Sequence, residues 1–440
     1  MDQLGVFLAA AVFAFLAWRQ HQLVDRYAVN LLIWDQWLYY TLFIYKGGWW
    51  WTFTYQLGPH RMGVGFLVTR VLANLGHWNV RWDAFGVSFT LMIAAILAWR
   101  LARRCGVRPG IWLAAIPLLF FNRHEYAAFS ETANISHGAM PVLLIMLYCL
   151  SWFIPKPSWR LPVLAGLTFL LIFTGFGLFI GVVAPGLFAL EACQAWAAGD
   201  RTRFTWTLFA LLVVAAGWVT FFYGYVWAPF VPNYRFPYEK PHEYLLFGAL
   251  MLSSFFGVVY AGSAAVWLGG FVAVALLAVA CVYGFRAYRR GVALDPVNPV
   301  LFSLAGYELV YLANTAIGRV MLGLGEAPIA SRYVILMVPG ILSIYLALTT
   351  CSRPRLARCL GIAFAVVLVP ATAFLRSSEQ DSLDRVSTGR RVWGQVYLQT
   401  HSEMKATRAS NYVIFPTPLP MQLKYVEDHH LDLFNGNFPR

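Results

Sequence analysis

The sequence predicts an all-α polytopic membrane protein of about eleven transmembrane helices, and three observations predict it. Of the 440 residues, 60% are hydrophobic and only 12% are charged, about half the charged fraction of an ordinary soluble domain. Apolar runs such as 164–173, 176–190, 208–223 and 268–285 are too numerous to be core helices of one soluble fold. Basic residues gather in five short clusters, 100–108, 156–160, 201–203, 286–290 and 353–358, as the positive-inside rule distributes them on cytoplasmic loops. Those loops account for the net charge of +13, and no soluble basic domain is present to bind nucleic acid. The six cysteines are scattered, without zinc or disulfide spacing.

Placing all five clusters inside fixes the topology, because neighbouring clusters must be separated by an even number of spans. The first span is 3–19, with the amino terminus inside; it lacks the basic leader and small-residue cleavage site of a signal peptide. A long outer loop, about 20–82, follows. Within it 62–77 is amphipathic at helical spacing, with Arg70, Asn74 and His77 on one face and Val64, Val68, Val71, Leu72 and Leu75 on the other. It reads as a helix lying in the outer interface. Spans 83–101, 109–123, 139–155, 160–174, 176–198 and 205–226 come next. The stretch 244–260, with Ser253, Ser254 and Gly257, is a second interfacial or re-entrant piece, and spans 263–285, 297–317, 332–350 and 356–375 complete the set. Two units result: a transmembrane unit over 1–375 and an outer tail over 376–440. The tail is too small for an enzyme domain and is suited to covering an outer site or docking an acceptor.

Polar residues concentrate on the outer side. In "NLLIWDQWLYY" Asp35 stands between Trp34 and Trp37. Asp favours helix starts, and an acid held at an apolar interface also suits a general base; Asp25 competes with it in the same loop. In "YQLGPHRMG" a Gly-Pro break precedes His60 and Arg61 at the opening of the amphipathic helix. A cation there can meet a phosphate or snorkel to the interface. In "AIGRVMLGLGEAPIASRYV" Arg319 ends one span and Arg332 begins the next, with Tyr333 beside it. Two outer arginines run against the positive-inside trend, and either lipid headgroups or a bound lipid phosphate would compensate them. The loop "NRHEYAAFSETANISHG" holds Glu125, Glu131, Asn134 and His137, suited to hydroxyl recognition; its His and Glu spacing matches no metal motif, so a divalent metal is not favoured. Glu308 is a mid-span acid, a functional hypothesis in itself or a neutral group bonded to a neighbouring helix.

This arrangement resembles the GT-C superfamily of polytopic glycosyltransferases. The likeness is best over the first hundred residues: a first span, a long outer loop bearing an acid, a small-residue and proline break ("GPHRMG"), a juxtamembrane helix, and a span ending in basic residues. Asp35 occupies the place of the family's first-loop acid. The "GR…ASRY" loop and the "HHLDLF" ending also resemble a pattern in bacterial membrane proteins with a WD-x-W first loop. Many relatives carry two adjacent acids, whereas Gln36 follows Asp35 here, which argues against a metal-dependent version. The resemblance implies a bacterial inner-membrane enzyme with its active site facing the periplasm and no cofactor. Its donor would be a polyprenyl-phosphate-linked sugar and its acceptor a hydroxyl on a glycan, glycolipid or protein such as a pilin. Asp35 would be the general base, with donor phosphate at Arg319, Arg332, Tyr333, His60 and Arg61. Asp25, Trp34, Trp37, Glu125, Glu131, Asn134 and His137 would be further sugar or acceptor contacts. Two other classes share the outer arginines: a polymerase or ligase using diphosphate-linked glycans, and a transporter or flippase of lipid-linked sugars.

Overall fold

In the computed structural model the described residues are 2–45, 47–130, 134–227, 234–327, 333–373, 377–436 and 438. Among them regular structure is almost entirely helical; the strands are a two-residue pair, β1 (Gln56–Leu57) and β2 (His60–Arg61), antiparallel with Leu57 opposite His60. Among the described residues seven helices are long and apolar enough to cross a membrane, as in a multi-pass all-α membrane protein.

The first helix, α1 (Asp2–Tyr27), runs past the predicted end of the first span, because nothing from Trp18 to Tyr27 is a glycine or proline. Asp25 therefore sits on its last turn rather than in a loop. The first loop is ordered: α2 (Asp35–Tyr45), α3 (Trp49–Thr54), the β1–β2 hairpin and α4 (Gly63–Leu75). At 13 residues, α4 spans only about 20 Å, short of a hydrocarbon core of about 30 Å. Its Phe66, Thr69 and Ala73 are buried while Val71 and Leu75 are exposed.

After α5 (Arg81–Arg104) the chain departs from expectation. The predicted span 109–123 is a 3-10 turn (Ile111–Ala114) followed by the short α6 (Ala115–Phe120), because Pro109–Gly110 and Pro117 interrupt a regular helix there. A single-turn α7 (Ala127–Ser130) leads to α8 (Ala139–Ser151), α9 (Pro157–Ile172), α10 (Leu178–Ala197) and α11 (Arg201–Phe222). Arg160 of α9 and Glu191 of α10 form a buried ion pair at 2.5 Å. Then come α12 (His242–Phe255), α13 (Ser263–Arg290), α14 (Val297–Arg319), α15 (Val334–Thr349) and α16 (Pro354–Ala373). Gly269 of α13 lies so close to α12 that a Cβ there would stand 1.7 Å from the Ala249 carbonyl oxygen, the close approach that small residues permit between helices in lipid.

The tail forms α17 (Ser377–Thr400), α18 (Glu403–Ser410) and α19 (Pro420–Asp428). Although α17 is polar overall, Leu383, Ser387, Arg390, Gly394 and Tyr397 recur every three or four residues and are buried. That stripe packs onto the first loop. Trp393, Tyr397, Leu423, Val426 and Leu433 form one core with Val29, Leu32, Trp37, Tyr39, Tyr40, Phe66 and Trp78, beside the larger core of the long helices. Much of the first loop and of the tail thus shares one core, while Leu383, Phe53, Val64 and Val68 pack toward the long helices.

Candidate functional site

Between the core shared with the tail and the long helices lies a cavity of about 580 Å³, and Asp35, His60, His137, Arg319 and Tyr333 all line it. Separate segments of the first loop, the loop before α8 and the two ends of the α14–α15 connection supply them, so the local structure of each explains the convergence.

The hairpin brings His60. Its two-residue turn, Gly58–Pro59, has Gly58 at a left-handed φ of +57°, which glycine adopts without strain. The hairpin is stitched to the chain after α11: Tyr225 donates its hydroxyl to the Pro59 carbonyl (3.0 Å), and the Gln56 side chain both donates to the Val226 carbonyl (2.8 Å) and accepts from its amide (3.0 Å). Arg61 points the other way. Its guanidinium donates to the carbonyls of Thr54 and, at 2.6 Å, Tyr223, so its donors tie α3 to α11, and it does not line the cavity. His60 is half-buried; desolvation, assisted by the positive charge of Arg319, holds its imidazole down at about 4. It is neutral at physiological pH, and its Nδ1 has no hydrogen-bond partner among the described residues.

Asp35 is the first residue of α2, so the helix-start reading holds and leaves its carboxylate at the cavity. Among the described residues no hydrogen bond or ion pair engages that carboxylate. The turn before it is fixed in detail. Trp34 has a left-handed φ of +49°, and its amide donates to the Ile414 carbonyl at 2.7 Å. The Leu32 amide donates to both Asp432 carboxylate oxygens at 3.2 Å. Arg390 donates to the carbonyls of Val29 (2.7 Å), Leu31 (2.5 Å) and Ser130 (2.7 Å). Gln36, in place of a second acid, accepts from the Ile33 amide at 3.2 Å. Burial of Asp432 pushes its carboxyl up to about 7.

The last turns of α14 supply Asn314, Thr315, Gly318 and Arg319. The Arg319 guanidinium sits 4.9 Å from the centroid of the Tyr333 ring, a cation–π contact, and among the described residues no carboxylate pairs with it. Phe176, Phe179, Trp218, Phe221, Phe222, Tyr225 and Trp227 make the rest largely aromatic. The arrangement combines an acid and a cation that no described residue pairs, two histidines and aromatic faces, which can bind a polar group bearing negative charge at one end and apolar matter along its side.

Other residues expected at the site lie elsewhere. Asp25 pairs with Arg81 at 2.6 Å. Trp34, before the helix, is exposed, and Trp37, on the face of α2 that meets the tail, is buried in the core shared with it; Leu38 is the neighbour that reaches the cavity. Glu125 is fully buried, closing a capping box with Asn122, and burial raises its carboxyl well above the usual range. Asn134 is buried near Met62, with its amide nitrogen 3.9 Å from the Met62 sulfur. Glu131 and Arg332 lie outside the described residues. Glu308 is fully buried in α14, with its carboxylate packed against the Gly340 backbone of α15. Among the described residues no three His, Cys, Asp or Glu side chains are grouped to hold a metal.

Sequence reasoning missed Asn314 and Thr315, although both precede Gly318 and Arg319 by one helical turn on the same faces. It also missed Tyr225 and Trp227, whose signal is the aromatic run "FFYGYVW", and the tail residues Arg390 and Asp432. No family model matches the chain, and neither a curated protein nor a solved structure matches it.

Proposed function

We propose that the chain is a membrane glycosyltransferase that moves a sugar from a polyprenyl-phosphate carrier to an acceptor hydroxyl. The observation that carries this reading is the gathering of Asp35, His60, His137, Arg319 and Tyr333 around one aromatic-walled cavity. In this reading the chain crosses the membrane about eleven times with its amino terminus inside, and the cavity opens at the outer face of a bacterial inner membrane.

Asp35 accepts the proton of the acceptor hydroxyl, and the oxygen attacks the anomeric carbon with inversion. The bond from that carbon to the carrier phosphate breaks, and its electrons leave on the phosphate oxygen. Arg319 supplies positive charge where that negative charge develops; Arg332 is the second cation of this reading. The transition state is oxocarbenium-like, as in glycoside hydrolysis. His60, kept neutral by burial and by Arg319, is a hydrogen-bonding group for sugar hydroxyls or phosphate rather than a charge. Aromatic faces on α10 and α11 suit a sugar ring or the first isoprene units.

The test is incubation of the purified chain with a panel of polyprenyl-phosphate sugars, following thermal stabilisation and sugar release. A responding carrier is expected, with Asp35→Asn folded and bound to it but inactive, and Arg319→Ala unable to be stabilised. Full transfer by Asp35→Asn removes the base assignment. Stabilisation by a carrier without any sugar release favours a transporter, the reading to which the buried Glu308 carboxyl in α14 lends itself, and silence toward every carrier removes the proposed donor.

A further inference from the structure

A second cavity, of about 180 Å³, lies at the other end of α15 from Tyr333. The 16 residues of that helix separate the two by about 24 Å, so it is not part of the site above. Gly106, Arg108, Trp112, Thr349, Thr350 and Arg358 are among its walls. No acidic residue lines it. Among the described residues neither Arg108 nor Arg358 has an ion pair, and no hydrogen bond engages either guanidinium.

Both arginines are exposed at the cavity mouth, and contacts with Trp112 hold them there. The Arg358 guanidinium stands 5.6 Å from the Trp112 ring centroid, and the Trp112 indole N–H donates to the Arg108 carbonyl at 2.9 Å. One tryptophan therefore orients one cation and anchors the backbone of the other. Gly106, at a φ of +93°, turns the chain after α5 so that Arg108 reaches this place. The Thr349 and Thr350 hydroxyls already donate to the Tyr345 and Leu346 carbonyls, at 2.7 Å each. The donors left at the cavity are the guanidinium groups of Arg108 and Arg358, with Ser352 beside them. That set has the chemistry of an anion site, and forked guanidinium donors match phosphate oxygens. The volume suits one phosphate group and not a sugar-bearing carrier.

We propose that this cavity binds a phosphate-bearing anion, supplied either by an anionic phospholipid headgroup or by a soluble phosphate. The proposal does not depend on the activity assigned to the larger cavity. Its test uses the purified full chain in phosphatidylcholine nanodiscs and follows the thermal midpoint as phosphatidylglycerol or, at matched ionic strength, inorganic phosphate is added. Arg108→Gln/Arg358→Gln is compared with Arg289→Gln/Arg290→Gln, which removes the same charge from another basic cluster. Wild type and the second variant are expected to be stabilised, with apparent binding to the first variant weaker by about tenfold per guanidinium. A response to phosphatidylglycerol alone identifies a lipid headgroup, and one to inorganic phosphate as well identifies a soluble ligand. Equal shifts in all three proteins, or no shift with either probe, overturn the site. Should the double variant not fold, Arg358→Lys keeps the charge without the fork, and unchanged retention of phosphatidylglycerol by native mass spectrometry then counts against it.

Discussion

Replacing Arg390 with alanine is expected to release the first loop around Asp35. Arg390 is almost fully buried and bonds three backbone carbonyls, two of them, Val29 and Leu31, within six residues of Asp35. A hydrogen bond from a charged donor contributes about 1.5–3 kcal/mol. One guanidinium shared among three acceptors, with its own desolvation to offset, contributes less than their sum, about 3–4 kcal/mol. Hydrogen exchange reads this directly, because the Leu32 and Trp34 amides donate to Asp432 and Ile414 of the tail. If they exchange by local detachment of the tail, a loss of about 3 kcal/mol speeds exchange of a peptide over 29–36 by about a hundredfold. Arg391→Ala, which removes one exposed bond to the Arg26 carbonyl, should leave that peptide unchanged. Arg390→Lys should recover part of the protection, since an ammonium cannot span all three carbonyls. Unaltered exchange over 29–36 in Arg390→Ala refutes the clamp.

Asp432 gives the tail a pH dependence. Its folded carboxyl titrates at about 7 against an ordinary 3.8. Between those values the folded chain keeps a proton that the unfolded chain releases, so its contribution grows by about 1.4 kcal/mol per unit as pH falls from 7 toward 4, and is lost as pH rises. The midpoint of wild type relative to Asp432→Asn should therefore climb from pH 8 to pH 5; a flat difference would contradict the buried acid. Gly269→Ala sets a Cβ against the Ala249 carbonyl and should push α12 from α13, lowering the midpoint, whereas wild-type melting would show that the crossing is not tight. Arg160→Met strands the buried Glu191 carboxylate, a loss of about 3–5 kcal/mol. Arg160→Met/Glu191→Met should recover most of it, and equal losses in both would mean that the pair is not coupled.

How much of this was legible in the sequence follows from what each residue depends on. Apolar runs depend on local composition, and α5, α10, α11, α13, α14 and α16 fall where those runs stand. Asp35, His60, His137, Arg319 and Tyr333 were conspicuous because polar groups next to apolar segments are few, and they line one cavity. Arg61 and Glu125 were equally conspicuous, yet whether an arginine faces a ligand or nearby carbonyls is settled by how α3 and α11 meet. The tail was the least legible. Its buried stripe from Leu383 to Tyr397 has helical spacing, but Ser387, Arg390 and Gly394 within it hide the period from any scale of hydrophobicity.

The two cores divide the candidate site between them. Arg319 ends α14, whose Tyr311, Leu312 and Ala316 pack in the larger core, while Asp35 opens α2, whose Trp37, Tyr39 and Tyr40 pack in the core shared with the tail. The placement of the acid relative to the cation is therefore set by whatever joins the cores. The Val64 amide donates to the Phe173 carbonyl at 3.0 Å, and the Ser136 hydroxyl donates to the Met62 carbonyl at 3.0 Å; both act at the hairpin side. Arg390 acts at the acid side, since it holds Ser130, the last residue of α7, together with Val29 and Leu31. Arg390, which is not among the residues lining the cavity, thereby helps to set their spacing, as does the buried Tyr40 hydroxyl that donates from α2 to Asp83 of α5 at 2.8 Å. If the proposed transfer is correct, Arg390→Lys should lower turnover more than donor affinity, because positioning of the base matters in the transition state while Arg319 still holds the phosphate.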